Sequence, residues 1–219
     1  MSTVAVLDYG TSNLRSVAKA LEHIAGKNKR IVVTDDAGVI RSAERLVFPG
    51  QGAIGQCMAS LRDTGLADIV RESIGTKPFL GICLGLQSLM SDSEEDGGQQ
   101  GLGLIAGHVH RFPEPPAGSG MKIPHMGWNR VRQLQPHPLW QGIDDGARFY
   151  FVHSYYVMPD DPRDIAGSCE YIVEFAAAVS RDNLFATQFH PEKSQKDGLK
   201  LLESFSPGMV APEAGVVTA

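Results

Sequence analysis

The chain has 219 residues, 42% apolar and 21% charged, which is enough for one sizeable α/β domain and places it among ordinary globular proteins. Its formal net charge of −5 argues against a general nucleic-acid binder or a protein drawn to anionic membranes. No stretch approaches a membrane span and no signal peptide is evident. The three cysteines (Cys57, Cys83, Cys169) lack paired spacing, so a cytoplasmic, reducing location is expected.

Residues 3–7 form a short apolar run ending in Asp8-Tyr9-Gly10 and read as a buried strand. Leu14, Val17, Ala18, Leu21 and Ile24 then recur at helical spacing, which predicts a helix over 13–24 with Ser12 as its cap. Strands are expected over 30–34 and 45–48, helices over 52–61 and 66–74, a strand over 79–82 and a helix over 84–90. Alternating strand and helix points to a mostly parallel sheet with helices on both faces. The second half differs. Short strands over 108–112, 127–133, 148–152, 155–158, 171–174 and 177–180, separated by turn residues, predict an antiparallel extension. A buried strand over 184–189 and a helix over 194–205 follow. One domain over 1–206 is expected, with 207–219 a frayed tail rich in Pro, Gly and small residues.

The chemistry concentrates at Gly81-Ile82-Cys83-Leu84-Gly85. A cysteine between two glycines, where a buried strand gives way to a helix, fits a sharp turn that holds a nucleophile in a strained conformation. The backbone N–H of Leu84 would face a developing oxyanion, and the helix start favours the thiolate. Cys57 and Cys169 lack this setting and read as core residues. Downstream, His190-Pro191-Glu192 offers a base and a carboxylate two residues on to orient it. A surface pair or a metal pair is the alternative, but no third ligand is obvious, and no metal is expected.

Gly50-Gln51-Gly52-Ala53-Ile54-Gly55 matches the dinucleotide fingerprint, but the next strand ends in Gly81-Ile82-Cys83 where an acidic residue is wanted. The loop 50–52 reads better as a flexible lender of a backbone N–H to an oxyanion hole. His108 and His110 share a strand face without carboxylates at ligand spacing. His23 and His137 look like surface or turn positions. The acidic run Ser93-Glu94-Glu95-Asp96 reads as solvated, and Trp128 and Trp140 as packing residues.

Five pieces in order resemble the class I, triad-type glutamine amidotransferases. They are Pro49-Gly50-Gln51-Gly52, Gly81 to Gln87, Ser93-Glu94-Glu95, Gly101-Leu102-Gly103-Leu104 and Gln188 to Ser194. Within that class, Asp8 to Leu14, Pro124-His125-Met126-Gly127-Trp128-Asn129 and Tyr150 to Tyr156 are similar to the glutaminase subunits of imidazole glycerol phosphate synthases. Gln51 departs from the small apolar residue common at its position. The resemblance implies a flavodoxin-like α/β fold, no cofactor, and a catalytic set of Cys83, His190 and Glu192. It implies an oxyanion hole from Leu84, Gln51 and Gly52, in a loop that reorients when the partner binds its nucleotide. It assigns glutamine binding to Gly50, Gly52, Gln87 and the backbone of His153, Ser154 and Tyr155. It implies a heterodimer with a (βα)8-barrel cyclase. There, ammonia from glutamine yields imidazole glycerol phosphate and an aminoimidazole carboxamide ribonucleotide in histidine biosynthesis. The alternatives are the glutaminase of another synthase (anthranilate, pyridoxal phosphate, aminodeoxychorismate), a standalone cysteine hydrolase, or a regulatory module on the same fold.

Overall fold

The structure is a computed structural model that describes residues 2–10, 14–25 and 29–206. The Ser12 cap, the first residue of the expected 13–24 helix and the 207–219 tail lie outside the described residues. The first half runs β1 (Ser2–Leu7), α1 (Leu14–Ala25), β2 (Lys29–Thr34), α2 (Ala37–Ser42), β3 (Arg45–Gly50), α3 (Ile54–Asp63), α4 (Leu66–Ile74), β4 (Phe79–Cys83) and α5 (Leu84–Gln87). The second half runs β5 (Asp92–Ser93), β6 (Gln99–Gln100), β7 (Gly107–Arg111), β8 (His125–Arg130), β9 (Arg132–Gln133), β10 (Arg148–His153), β11 (Tyr155–Pro159), β12 (Ile165–Tyr171), β13 (Val173–Arg181), β14 (Leu184–Thr187) and α6 (Gln195–Phe205).

β2, β1, β3, β4 and β14 lie side by side in that order, all parallel, in the arrangement of a doubly wound sheet. Alternation along β1 shows how its two faces are covered. Ala5 and Leu7 pack with α2, α3 and α4, whereas Val4 and Val6 pack with α1 and α6. β13 joins β14 antiparallel and carries the sheet on through β11 and β7, the expected antiparallel extension. β8 and β10 form a separate antiparallel ribbon, paired from His125 opposite His153 to Arg130 opposite Arg148.

Several elements depart from the sequence expectation for identifiable reasons. The helix expected over 84–90 stops at Gln87. The returning segment takes the next carbonyls, with Leu102 N–H donating to Ser88 O, Gly103 to Met90 O and Gly101 to Ser91 O. The strands expected over 171–174 and 177–180 are not two strands. The first straddles a tight turn at Ile172, whose φ is 60°, and β13 runs unbroken through its alanines. β12 was hidden in a polar, Gly-containing stretch. The strand expected over 127–133 breaks, β8 pairing β10 and β9 pairing β12. α2 is a single short helix fixed by Asp36, whose carboxylate accepts from Val39 N–H at 2.9 Å.

Candidate active site

Cys83 sits at the last position of β4, opposite Gly50 of β3, with φ 56° and ψ −106°. A non-glycine residue holds such a conformation only when its surroundings over-determine it. The flanking glycines allow this. A Cβ on Gly85 would lie 1.9 Å from Phe48 O, and one on Gly81 2.8 Å from the Ala186 Cβ. Leu84 opens α5, so its N–H is one that a helix leaves without an internal partner. Cys57 and Cys169 occupy the core. Burial pushes their thiols up to about 11 and about 12, keeping them inert.

His190 follows β14, the parallel neighbour of β4, so both side chains emerge at the same sheet edge. Its backbone is fixed from two sides. His190 N–H donates to Tyr150 O at 2.9 Å, and Ser194 Oγ donates to His190 O at 2.6 Å. The ring is buried, and Nδ1 meets Glu192 Oε1 at 2.8 Å. Burial opposes a charged imidazole, but the adjacent Cys83 sulfur and the Glu192 carboxylate outweigh it and raise His190 to about 10. His190 Nε2 is buried and without a hydrogen-bond partner. Nε2 is thereby left for a substrate atom in the pocket that Cys83 and His190 both line. A backbone-held imidazolium beside a strained cysteine suits nucleophilic acyl transfer.

An open pocket of about 430 Å³ lies in front of the sulfur. Of the residues named from the sequence, Gln51, Gly52, Cys83, Leu84, Gln87, His153, Ser154, Tyr155 and His190 line it. Gly50 and Glu192 do not. They border a small void behind the histidine, with Pro49 and Ile82. Gln87 spends both amide protons inside the protein, on Tyr155 O at 3.1 Å and Gln188 Oε1 at 3.2 Å. Only its carbonyl oxygen remains for a ligand.

Sequence reading missed three neighbours of the site. Gln188 donates from Nε2 to Cys83 Sγ at 3.6 Å, and Lys193 lines the pocket. Glu95 corrects the reading of its acidic run as solvated. It is half-buried in the pocket wall and accepts Ile54 N–H at 2.9 Å, capping α3. Burial raises its carboxyl above the usual range. The same contact puts a carboxylate where a dinucleotide phosphate would dock. His108 and His110 do have carboxylates nearby, contrary to the spacing argument. Asp92 in β5 and Glu94 just after it lie 2.8 Å from the Nδ1 atoms of His108 and His110. Among the described residues no cluster of three His, Cys, Asp or Glu suits a metal ion. Trp140 is core, as expected, but Trp128 is about one-third exposed on β8.

Fold and site together define a doubly wound α/β protein with a strained cysteine and a buried histidine at one sheet edge. The family model described as glutamine amidotransferase class-I matches residues 5–206. The imidazole glycerol phosphate synthase subunit HisH of Dechloromonas aromatica (strain RCB) is 56% identical over 207 residues, covering 93% of this chain and 95% of that one. The subunit of the same name from Methylococcus capsulatus (strain ATCC 33009 / NCIMB 11132 / Bath) is 56% identical over 209 residues, covering 94% and 96%. A solved glutamine amidotransferase superposes with a TM-score of 0.67 at 19% identity, covering 92% of this chain and 98% of that one, a likeness of fold. The chain belongs to the class-I glutamine amidotransferases and, within them, to the family of HisH subunits.

Proposed function

We propose that the chain hydrolyses glutamine to glutamate and ammonia as the glutaminase subunit of an imidazole glycerol phosphate synthase, with Cys83, His190 and Glu192 as its catalytic set. The observation that carries the chemistry is the buried, unpartnered Nε2 of a protonated His190 beside the strained Cys83. The Cys83 sulfur attacks the side-chain amide carbon, a C–S bond forms, and the carbonyl pair moves onto oxygen. Leu84 N–H and the loop carrying Gln51 and Gly52 receive that oxyanion. As the intermediate collapses, the C–N bond breaks and the departing nitrogen takes the Nε2 proton, leaving as ammonia. Neutral His190 then accepts a proton from water as the water attacks the thioester. Glutamate leaves, and the thiolate–imidazolium pair is restored. Glu192 holds the ring throughout.

The pocket also suits the other end of glutamine. Glu95 and Lys193 supply one negative and one positive group, the complement of a zwitterionic amino acid. The Gln87 carbonyl adds an acceptor for the α-ammonium, and Gly52 with the His153, Ser154 and Tyr155 backbone lines the rest. Gly50 serves indirectly, by letting β3 approach the elbow. Its Cβ would meet Leu84 Cβ at 2.8 Å.

Identity to HisH subunits over nearly the whole chain supports the synthase assignment. The partner in this reading is a (βα)8-barrel cyclase in a cytoplasmic heterodimer. Delivery through a dry path has a chemical reason, because ammonia in neutral water is mostly ammonium, which is no nucleophile. Glutamate release by the chain, with and without the cyclase and its nucleotide, tests the proposal. Cys83→Ala abolishes glutamine-dependent product formation, while the complex still turns over with ammonium salts. Retained glutamine use in that variant overturns the proposal, and recovery of a chorismate-binding partner in a pull-down redirects it to another synthase.

A further inference from the structure

Two buried imidazoles, His153 in the pocket lining and His125 hydrogen-bonded to it, are not used by the acyl-transfer steps. His125 begins β8 and His153 ends β10, and the two residues are directly paired. Their protons can be placed one after another. His153 Nδ1 lies 2.7 Å from Tyr155 O, and a carbonyl only accepts, so Nδ1 carries the hydrogen. Burial holds both rings neutral, pushing His125 down to about 4 and His153 to about 3. The His153 Nε2 is therefore a bare acceptor, and His125 Nδ1, 3.0 Å away, must donate to it. That leaves His125 Nε2 as an acceptor facing Asn129 Nδ2 at 3.4 Å. The second Asn129 N–H goes to Glu170 O at 2.9 Å, while Asn129 Oδ1 accepts from Arg130 N–H at 2.8 Å, so the amide cannot turn over. Stacking on Tyr171 and Phe151, with centroids 3.9 and 4.8 Å away, fixes the His125 ring plane.

The series does not end at Tyr155. Its carbonyl also accepts from Gln87 Nε2, which donates in turn to Gln188 Oε1, and Gln188 Nε2 donates to Cys83 Sγ. We infer that Asn129, His125 and His153 are positioning residues. They lock both imidazoles as Nδ1–H tautomers, hold the Tyr155 carbonyl toward Gln87, and through Gln87 and Gln188 keep an N–H aimed at the nucleophilic sulfur. Without that lock Gln188 can turn its oxygen to the sulfur, setting two electron-rich atoms against each other and disfavouring the thiolate. The importance of this for turnover rests on the glutaminase reading, but the proton arrangement does not.

Two measurements on the full chain test it. Long-range ¹⁵N–¹H correlation spectra at pH 7 show Nδ1 protonated and Nε2 bare in both rings. An Nε2–H tautomer, or a mixture, in either ring overturns the inference, and this needs no variant. The second measurement is the rate of Cys83 alkylation by iodoacetamide, read by peptide mass spectrometry, with kcat and KM for glutamate release in the complex. Asn129→Leu, and His125→Phe, which keeps the stacking, slow alkylation and lower kcat about tenfold, and KM moves less than about threefold. His125→Gln, able to accept from Asn129 and donate to His153, returns both rates to within about threefold of the parent. Unchanged alkylation in Asn129→Leu and His125→Phe, or a Gln variant as slow as the Phe one, reduces the pair to packing and overturns the inference. Alkylation requires no glutamine, so a wrong substrate assignment leaves it standing. A failed relay leaves glutamine hydrolysis by the parent intact.

Discussion

The two sides of the pocket are built on different principles. On the parallel side, Cys83 and His190 leave the ends of neighbouring strands, β4 and β14, and are held by close backbone packing and burial. On the antiparallel side, β8, β10 and the turn into β11 contribute a hydrogen-bonded set of His, Asn and backbone carbonyl groups. The first side supplies reactivity, because strain and low dielectric concentrate there. The second supplies orientation, because its polar groups are fully matched. A variant on the parallel side should therefore destroy fold or chemistry outright, while one on the other side should tune them.

The largest expected effect is at Gly85. A methyl group there overlaps Phe48 O at 1.9 Å, and the obstacle is backbone, which cannot swing away. Gly85→Ala is expected to cost about 3 kcal/mol and to abolish glutaminase activity, since β3 and α5 must separate. Urea unfolding measures the first and glutamate release the second. A stable, active variant would break the claim that this side depends on close backbone approach. Next come His190→Ala and Glu192→Ala. Removing the proton donor is expected to lower kcat by about 10³-fold or more, and removing its orienting carboxylate by about 10²-fold. The reverse order would mean that the roles are misassigned.

How much of this was legible in the sequence also divides along the two sides. The strands over 3–7, 45–48 and 79–82 are apolar runs bounded by turn residues, and their burial on both faces follows from composition alone. Cys83 between glycines and the His190–Glu192 spacing are likewise local patterns. What escaped depends on pairing. Glu95 belongs to an acidic run whose neighbours Glu94 and Asp96 are exposed, and only the approach of α3 distinguishes it. His125 and His153 are 28 residues apart and acquire a joint role only through the β8–β10 register. Gln188 sat inside a motif noticed for its histidine. The end of α5 at Gln87 is set by hydrogen bonds from residues 101–105, which no local propensity encodes.

Glu95 lies where the two sides meet, and its variant has a smaller, more specific effect. Glu95→Gln keeps an acceptor for Ile54 N–H but removes the charge, so α3 stays capped. If the carboxylate holds the α-ammonium of glutamine, KM rises about tenfold while kcat stays within about threefold. A loss in kcat alone would move Glu95 from substrate binding to support of the loop at residues 51–53.

The smallest effect tests whether the proton for departing ammonia is already resident on His190. A group whose folded pKa lies above its unfolded value stabilises the fold fully below the unfolded value, near 6.5, and that contribution fades as pH rises through the folded value, about 10. Stability of the parent chain should therefore fall between pH 7 and pH 10, by about 1–2 kcal/mol once the rest of the titration is subtracted with His190→Gln. In Glu192→Gln the carboxylate no longer favours the charged ring, so the fall should be smaller and complete at a lower pH. Urea unfolding across this range reads both. If the parent and His190→Gln curves run parallel from pH 7 to pH 10, the ring rests neutral, and the proton must come from the thiol during attack. The parallel side of the pocket would then owe its reactivity to strain at Cys83 with no standing charge pair.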